Sequence, residues 1–215
     1  QLGTDMIRSL GLVAMVLLIG FKNPALKKYT GMSLAQVAKL RGTSPEDTAI
    51  DLVIEDGTRV GTVYFLMDEA NVARQTGLPW MAFGSDAEAQ APEGVFLLSS
   101  THPRAYGNVS RLLGKYVREE NKATLPDAIR RLTSFPATNL GITDRGLLKA
   151  GNYADVVVFD PAKIIDHATY EKPQQLSTGV DHVYVNGVQV LNDGKPTGKA
   201  AGRFVKGPGA GKCAS

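Results

Sequence analysis

Apolar positions fall into two textures along this chain, and the change comes near Leu147. Before it, short apolar runs alternate with stripes spaced three and four residues apart, the spacing of one helix face. Leu34, Val37 and Ala38 share such a face, and Ser33 with Gln36 has capping-box spacing, so residues 33–41 predict a helix. Ser44-Pro45-Glu46-Asp47 is a second helix start: a cap, a proline in the first turn, acids near the positive end of the dipole. That helix carries Ala49, Ile50, Val53 and Ile54 and stops before Gly57. Thr62 to Met67, TVYFLM, is a β-branched and aromatic run that predicts a strand. Asp68 caps a short helix through Arg74, and PWMAFG, Pro79 to Gly84, predicts another strand. Residues 109–120 predict a helix with Leu112, Leu113, Tyr116 and Val117 inward. Thr124 and Asp127 cap a further one, with Ala128, Ile129 and Leu132 as its apolar stripe.

Strand, helix, strand, loop, helix predicts parallel α/β units, in which chemistry sits at the carboxyl ends of strands. Asp86 falls at such an end, after PWMAF and a glycine-serine turn. A glycine-containing irregular segment follows it and closes on His102, Pro103, Arg104 and Tyr106. Beyond Leu147 long helical patterns stop. Ala154 to Phe159 predicts a strand, and His182 to Leu191 predicts two strands joined by Asn186-Gly187, a strong hairpin signal. Residues 146–206 are therefore expected to form a small β domain after an α/β region over 1–145, with 207–215 as a flexible tail.

Composition narrows the partners. At 43% hydrophobic and 21% charged the chain is ordinary globular material, enough for one large domain or two small ones. A net charge of only +3, with no Lys/Arg stretch interleaved with aromatics, argues against nucleic acid. Leu10 to Phe21 is the most apolar run, too short for the roughly 20 residues of a membrane span. It could pass for a signal core but lacks a cleavage pattern after it, so a buried strand, or strand plus helix end, is expected and a membrane partner is not. The single cysteine, Cys213, allows no internal disulfide and no cysteine-based metal site, which fits a reducing, cytoplasmic compartment. His102, His167 and His182 show no H-x-H or H-x3-H spacing, so histidines alone build no zinc site. GAGKC near the end lacks the first glycine and the Ser/Thr of a phosphate loop. Residue types alone leave Asp86 open between turn acid and catalyst, His102 between loop residue and site residue, and Arg104 between ion-pair partner and site residue.

The segments GSDA, APEG, THPRAYGNVSRLLGKYVREE, AIRRLTSFPATNLGITDRGLLKAGNYADVVVFDP, HATYEKPQQLSTGVDHVYVNGVQVLNDG and TGKAAGR add a different kind of signal. Together they resemble the carboxyl-terminal half of the N-acyl-D-amino-acid deacylases, the D-aminoacylase family of the amidohydrolase superfamily. The likeness runs from about Phe21 to Gly207, and GSD with HPRAYG carries most of its specificity. The resemblance implies an α/β chain: the terminal part of a (β/α)8 amidohydrolase barrel, with a helical insertion at about 22–58, followed by a small β-sandwich domain. It implies that Asp86 is the strand-eight aspartate, a general base that takes a proton from metal-bound water and passes one to the leaving amine. Asp86, with His102 beside it, is also the candidate metal ligand in this chain, one ligand short of a site, and Met67 the candidate lining of the acyl or side-chain pocket. The same resemblance makes Zn2+ the cofactor and a small N-acyl amino acid the substrate. It assigns Arg104 and Tyr106 to loop structure.

The family's H-x-H, its metal-binding cysteine and its two later metal histidines belong to earlier strands than these. The chain is thus expected to be roughly the last 40% of such an enzyme, inactive in isolation, and oligomeric or joined to a complementing chain that supplies barrel strands. Alternative readings are an amidohydrolase of a cyclic amide or dipeptide, and an inactive barrel remnant serving as a binding or oligomerisation module.

Overall fold

A computed structural model describes residues 15–210, so Cys213 and most of the Leu10–Phe21 run's first half lie outside it. The chain falls into two compact units, one built from residues 15–68, 86–106 and 168–176, the other from residues 69–85, 107–167 and 177–210.

In the first unit, β1 (Val16–Gly20) pairs antiparallel with β2 (Gly61–Tyr64), Val16 opposite Tyr64 and Gly20 opposite Gly61. This antiparallel pair is not the parallel unit expected of residues 62–67 and 79–84, which form no ladder with each other among the described residues. With Gly20 facing Gly61, residues 21–60 leave and rejoin the pair at the same end, and a chain that returns to the end it left runs back along its strand. The predicted strand over 62–67 also stops early, at Tyr64. The excursion holds a 3-10 turn at Pro24–Tyr29, then α1 (Leu34–Arg41) and α2 (Pro45–Asp56). Ser33 and Gln36 make both capping-box bonds, and Ser44 accepts from the Asp47 N–H. Gly42 and Gly57 close the two helices in the left-handed conformation, where a side chain would be strained. Leu18, Leu26, Val37 and Leu52 form the core. The buried face of α2 is Thr48, Leu52 and Asp56, while Ile50, Val53 and Ile54 are exposed. The polar members of that face are satisfied: Thr48 donates to the Ser44 carbonyl at 2.8 Å, and Asp56 accepts the Asn23 N–H at 2.9 Å.

The second unit packs α3 (Glu69–Thr76), the part of α4 (Arg104–Arg111) from Gly107 on with its π-helical continuation Leu112–Glu119, α5 (Leu125–Leu132) and α6 (Ser134–Asn139). Leu112, Leu113, Tyr116 and Val117 all point inward, and with Ala73, Ala128 and Ile164 they make the core. Gly114 lies on that face; a Cβ there would sit 2.7 Å from the Ile164 carbonyl oxygen. The sheet order is β3-β4-β5-β6, all antiparallel: Val156–Phe159, Val180–Val185, Val188–Asn192 and Lys195–Pro196. Asn186 (φ 50°) and Gly187 (φ 80°) turn the β4–β5 hairpin with both dihedrals positive, as its Asn-Gly pair predicts. His182 lies within β4 rather than opening it, because the ladder begins at Val180.

No strand forms at Pro79–Gly84. The stretch finds no ladder partner among the described residues. Its carbonyls are taken by side chains instead: Arg130 donates to Pro79 at 2.8 Å, Arg131 to Met81 at 2.7 Å, and Asn108 to Gly84 at 3.3 Å. Among the described residues no helix is long and apolar enough to cross a membrane.

Candidate active site

Asp86 opens the long loop of the first unit in a left-handed backbone conformation, φ 48°. Its carboxylate is 91% exposed and accepts from Arg104 Nη2 at 2.9 Å. Both side chains line an open concavity of about 960 Å3, together with Met67, His102 and the β2 residues Val63 and Tyr64. Met67 follows β2 and is itself exposed. The loop is less irregular than its composition suggests, since Gly94–Leu98 forms a 3-10 turn. Gln174 donates from one amide nitrogen to the Phe96 and Ser99 carbonyls, each at 2.7 Å, and so fixes that turn.

His102 sits where the loop becomes helix. Its Nδ1 accepts the Arg104 N–H at 3.0 Å, and its Nε2 lies 3.3 Å from Tyr170 Oη. Burial, with the Arg104 charge adding to it, holds this imidazole below its ordinary value. Tyr106 lies in the first turn of α4. His167 pairs with Thr178 at 2.9 Å in the second unit, and His182 Nδ1 accepts from Gln189 at 3.4 Å there.

Sequence reasoning placed Arg104 in loop structure; the fold puts its guanidinium on the candidate base. It did not single out Tyr170, which is 68 residues from His102 and carries no local signal of the contact. The HPR spacing could have been read as a ring nitrogen capping a helix start.

Chemically, the concavity offers the Asp86 carboxylate, able to accept and return a proton, with the Arg104 guanidinium beside it; Glu88 and Arg59 also line it, among apolar wall residues. Among the described residues no three His, Cys, Asp or Glu side chains come together to hold a metal ion. Asp86 with its arginine partner does not by itself make a metal centre.

An amidohydrolase family model matches residues 33–191, and the chain belongs to the amidohydrolase family. Within it, the likeness runs to enzymes of D-amino acid derivatives. The D-aminoacylase of Alcaligenes xylosoxydans xylosoxydans is 37% identical over 178 residues, 83% of this chain and 34% of that protein. The N-acyl-D-aspartate deacylase of the same organism is 41% identical over 149 residues, 69% of this chain and 28% of that protein. Among solved structures, the N-acyl-D-glutamate deacylase of Bordetella bronchiseptica, complexed with zinc and a phosphonate mimic of the tetrahedral intermediate, superposes with a TM-score of 0.72. It is 34% identical over 88% of this chain and 38% of that one. The chain spans about a third of the length of the curated relatives it matches.

Proposed function

We propose that the protein is a zinc-dependent amidohydrolase that cleaves the amide bond of N-acyl-D-amino acids, with Asp86 as general base. The observation that carries this reading is the Asp86–Arg104 pair, 2.9 Å apart on the wall of one concavity. Relatives named for the deacylation of D-amino acid derivatives supply the substrate class. Zinc is proposed on the strength of the deacylase structure that contains it. The described residues do not assemble its site, so the chemistry of this chain is that of its own groups. In the full protein these helices would belong to the last units of a (β/α)8 barrel.

Asp86 accepts a proton from water as the water oxygen bonds to the amide carbon. Collapse of the tetrahedral species breaks the C–N bond, and the same carboxyl returns the proton to the departing nitrogen. The products are a carboxylic acid and a free amino acid, and the carboxylate ends as it began. Arg104 brings a planar guanidinium whose fork matches a carboxylate, the group every N-acyl amino acid presents. Met67, unbranched and apolar on the same wall, suits a variable acyl or side chain.

The test is turnover by the full-length protein of N-acetyl-D-methionine and N-acetyl-D-glutamate, their L enantiomers, and a cyclic amide. Hydrolysis confined to the D series is expected. Cleavage of the cyclic amide alone would move the protein to the other reading.

A further inference from the structure

We propose that His102 is a positioning residue for Arg104, setting the guanidinium that meets Asp86 and, on the deacylase reading above, the substrate carboxylate. The first observation is the start of α4. His102 Nδ1 accepts the Arg104 N–H at 3.0 Å, and the His102 carbonyl accepts the Ala105 N–H at 3.0 Å. An imidazole nitrogen here takes the place that a Ser, Thr, Asn or Asp oxygen usually fills at a helix start. It satisfies one backbone donor that the helix itself leaves unpaired.

The second observation is what holds the ring. An Nδ1 that accepts an N–H carries no proton, so the neutral imidazole has its proton on Nε2. That atom faces Tyr170 Oη at 3.3 Å, and the two rings meet edge-on with centroids 5.2 Å apart. Tyr170 is in turn packed edge-on against Phe65 at 4.6 Å. A ring braced on Phe65 and Tyr170 therefore fixes the backbone of Arg104, and with it the direction in which that side chain leaves. The third observation is where it goes: Arg104 Nη2 reaches Asp86 at 2.9 Å. The charged and titratable groups that the contacts place around His102 are Arg104 and Tyr170, with Asp86 beyond Arg104. The low basicity of the ring favours its acceptor state but is not what sets its place.

The test uses the full-length protein carrying His102→Ala, His102→Asn or Arg104→Ala, assayed with N-acetyl-D-amino acids. His102→Ala should raise KM about tenfold and leave kcat within about threefold, the signature of lost ground-state binding. His102→Asn, whose amide oxygen can accept an N–H two residues on, should bring KM back to within about threefold of wild type. In an Arg104→Ala background, His102→Ala should add less than about twofold, since the two act as one unit. An unchanged KM in His102→Ala, an Asn variant no better than the alanine one, or full additivity with Arg104→Ala overturns the proposal. Nitrogen NMR of the wild-type ring provides a readout independent of activity. A bare Nδ1 with a protonated Nε2 is expected, and the opposite tautomer overturns the proposal. If the wild-type protein cleaves no N-acyl amino acid, the deacylase reading fails, and the tautomer alone decides the role of His102.

Discussion

Gly179 is the position where the fold leaves least room for a side chain. Its φ is +89°, and a Cβ built there would lie 2.5 Å from both N and Cα of Ile164. Those are backbone atoms and cannot swing aside as a side-chain tip would. Ile164 is a core residue, and its neighbour Ile165 exchanges two backbone hydrogen bonds with Thr178, at 3.1 and 3.0 Å. Gly179→Ala must therefore shift this bridge or the core under it. The left-handed conformation costs an L-residue about 1–2 kcal/mol, and forced overpacking about 1–3 kcal/mol more. The expected loss is about 2–5 kcal/mol, the sum of these two effects. Gly151 separates them, because its φ is +91° but nothing lies within 4 Å of its would-be Cβ. Gly151→Ala should cost only the conformational part, about 1–2 kcal/mol. Urea unfolding of the two variants and the wild type measures both. Equal losses for the two glycines, or a Gly179→Ala loss below about 0.5 kcal/mol, the range of neutral surface changes, would refute the collision at Ile164.

Asp86→Asn should lower turnover of N-acetyl-D-amino acids by about 10²- to 10⁴-fold, the usual worth of a general base; turnover within a factor of about two would remove that role. Arg131→Met should cost about 2–4 kcal/mol in urea unfolding, because the Thr76 and Met81 carbonyls lose donors now at 2.7 Å each and an unmade buried bond costs about 1–3 kcal/mol. A loss under about 1 kcal/mol would mean that water or other donors replace the guanidinium. Glu69 is held below its ordinary value of 4.5, first by the Lys115 hydrogen bond, with burial opposing and the Tyr116 hydroxyl adding. A carboxyl lowered in the folded state stabilises above its unfolded value, and that stability is lost as pH falls through the lowered folded value. The stability difference between wild type and Glu69→Gln should therefore be constant near neutrality and shrink below about pH 4.5; a difference that does not change with pH would show that Glu69 contributes nothing by its charge.

What the sequence made legible is short in range. Ser33 with Gln36, Ser44 with Asp47, and Thr124 with Asp127 each bond across three residues, so the pattern alone specifies the contact. Asn186-Gly187 works the same way, because the turn demands two positive φ values and these two residues tolerate them. The inward row Leu112, Leu113, Tyr116 and Val117 reads directly from helical spacing. The failures all involve distant partners. β1 and β2 both carry strand-forming residues, but their antiparallel register depends on where residues 21–60 return. Arg104 meets Asp86 across 18 positions and His102 meets Tyr170 across 68, through a loop whose composition gives no distance. Ile50, Val53 and Ile54 look like a helix core stripe, yet the fold buries Thr48 and Asp56; the Ser44 carbonyl satisfies Thr48 locally, but Asp56 is satisfied by the Asn23 N–H, 33 residues away.

The stretch before Asp86 shows how a strand-like sequence can be held in place with no ladder to join. Residues 78–81 make a turn, the Met81 N–H donating to the Leu78 carbonyl at 3.1 Å, which leaves the Pro79 and Met81 carbonyls to side chains. Arg130 and Arg131, consecutive on α5, reach those two oxygens, and Arg131 also takes the Thr76 carbonyl and lies over the Phe83 ring at 4.2 Å. Backbone acceptors withdrawn from water need partners, and here guanidinium donors serve the buried Thr76 and half-buried Met81 carbonyls in place of a neighbouring strand. The chain then passes through Gly84 and Ser85 to Asp86 at φ 48°. Asp and Asn are the non-glycine residues that tolerate this region best. Asp86→Asn therefore changes the carboxylate while keeping a backbone the site can hold, whereas alanine would add strain to the loss of the base. A fall in turnover in the Asn variant can then be assigned to proton transfer rather than to a displaced loop.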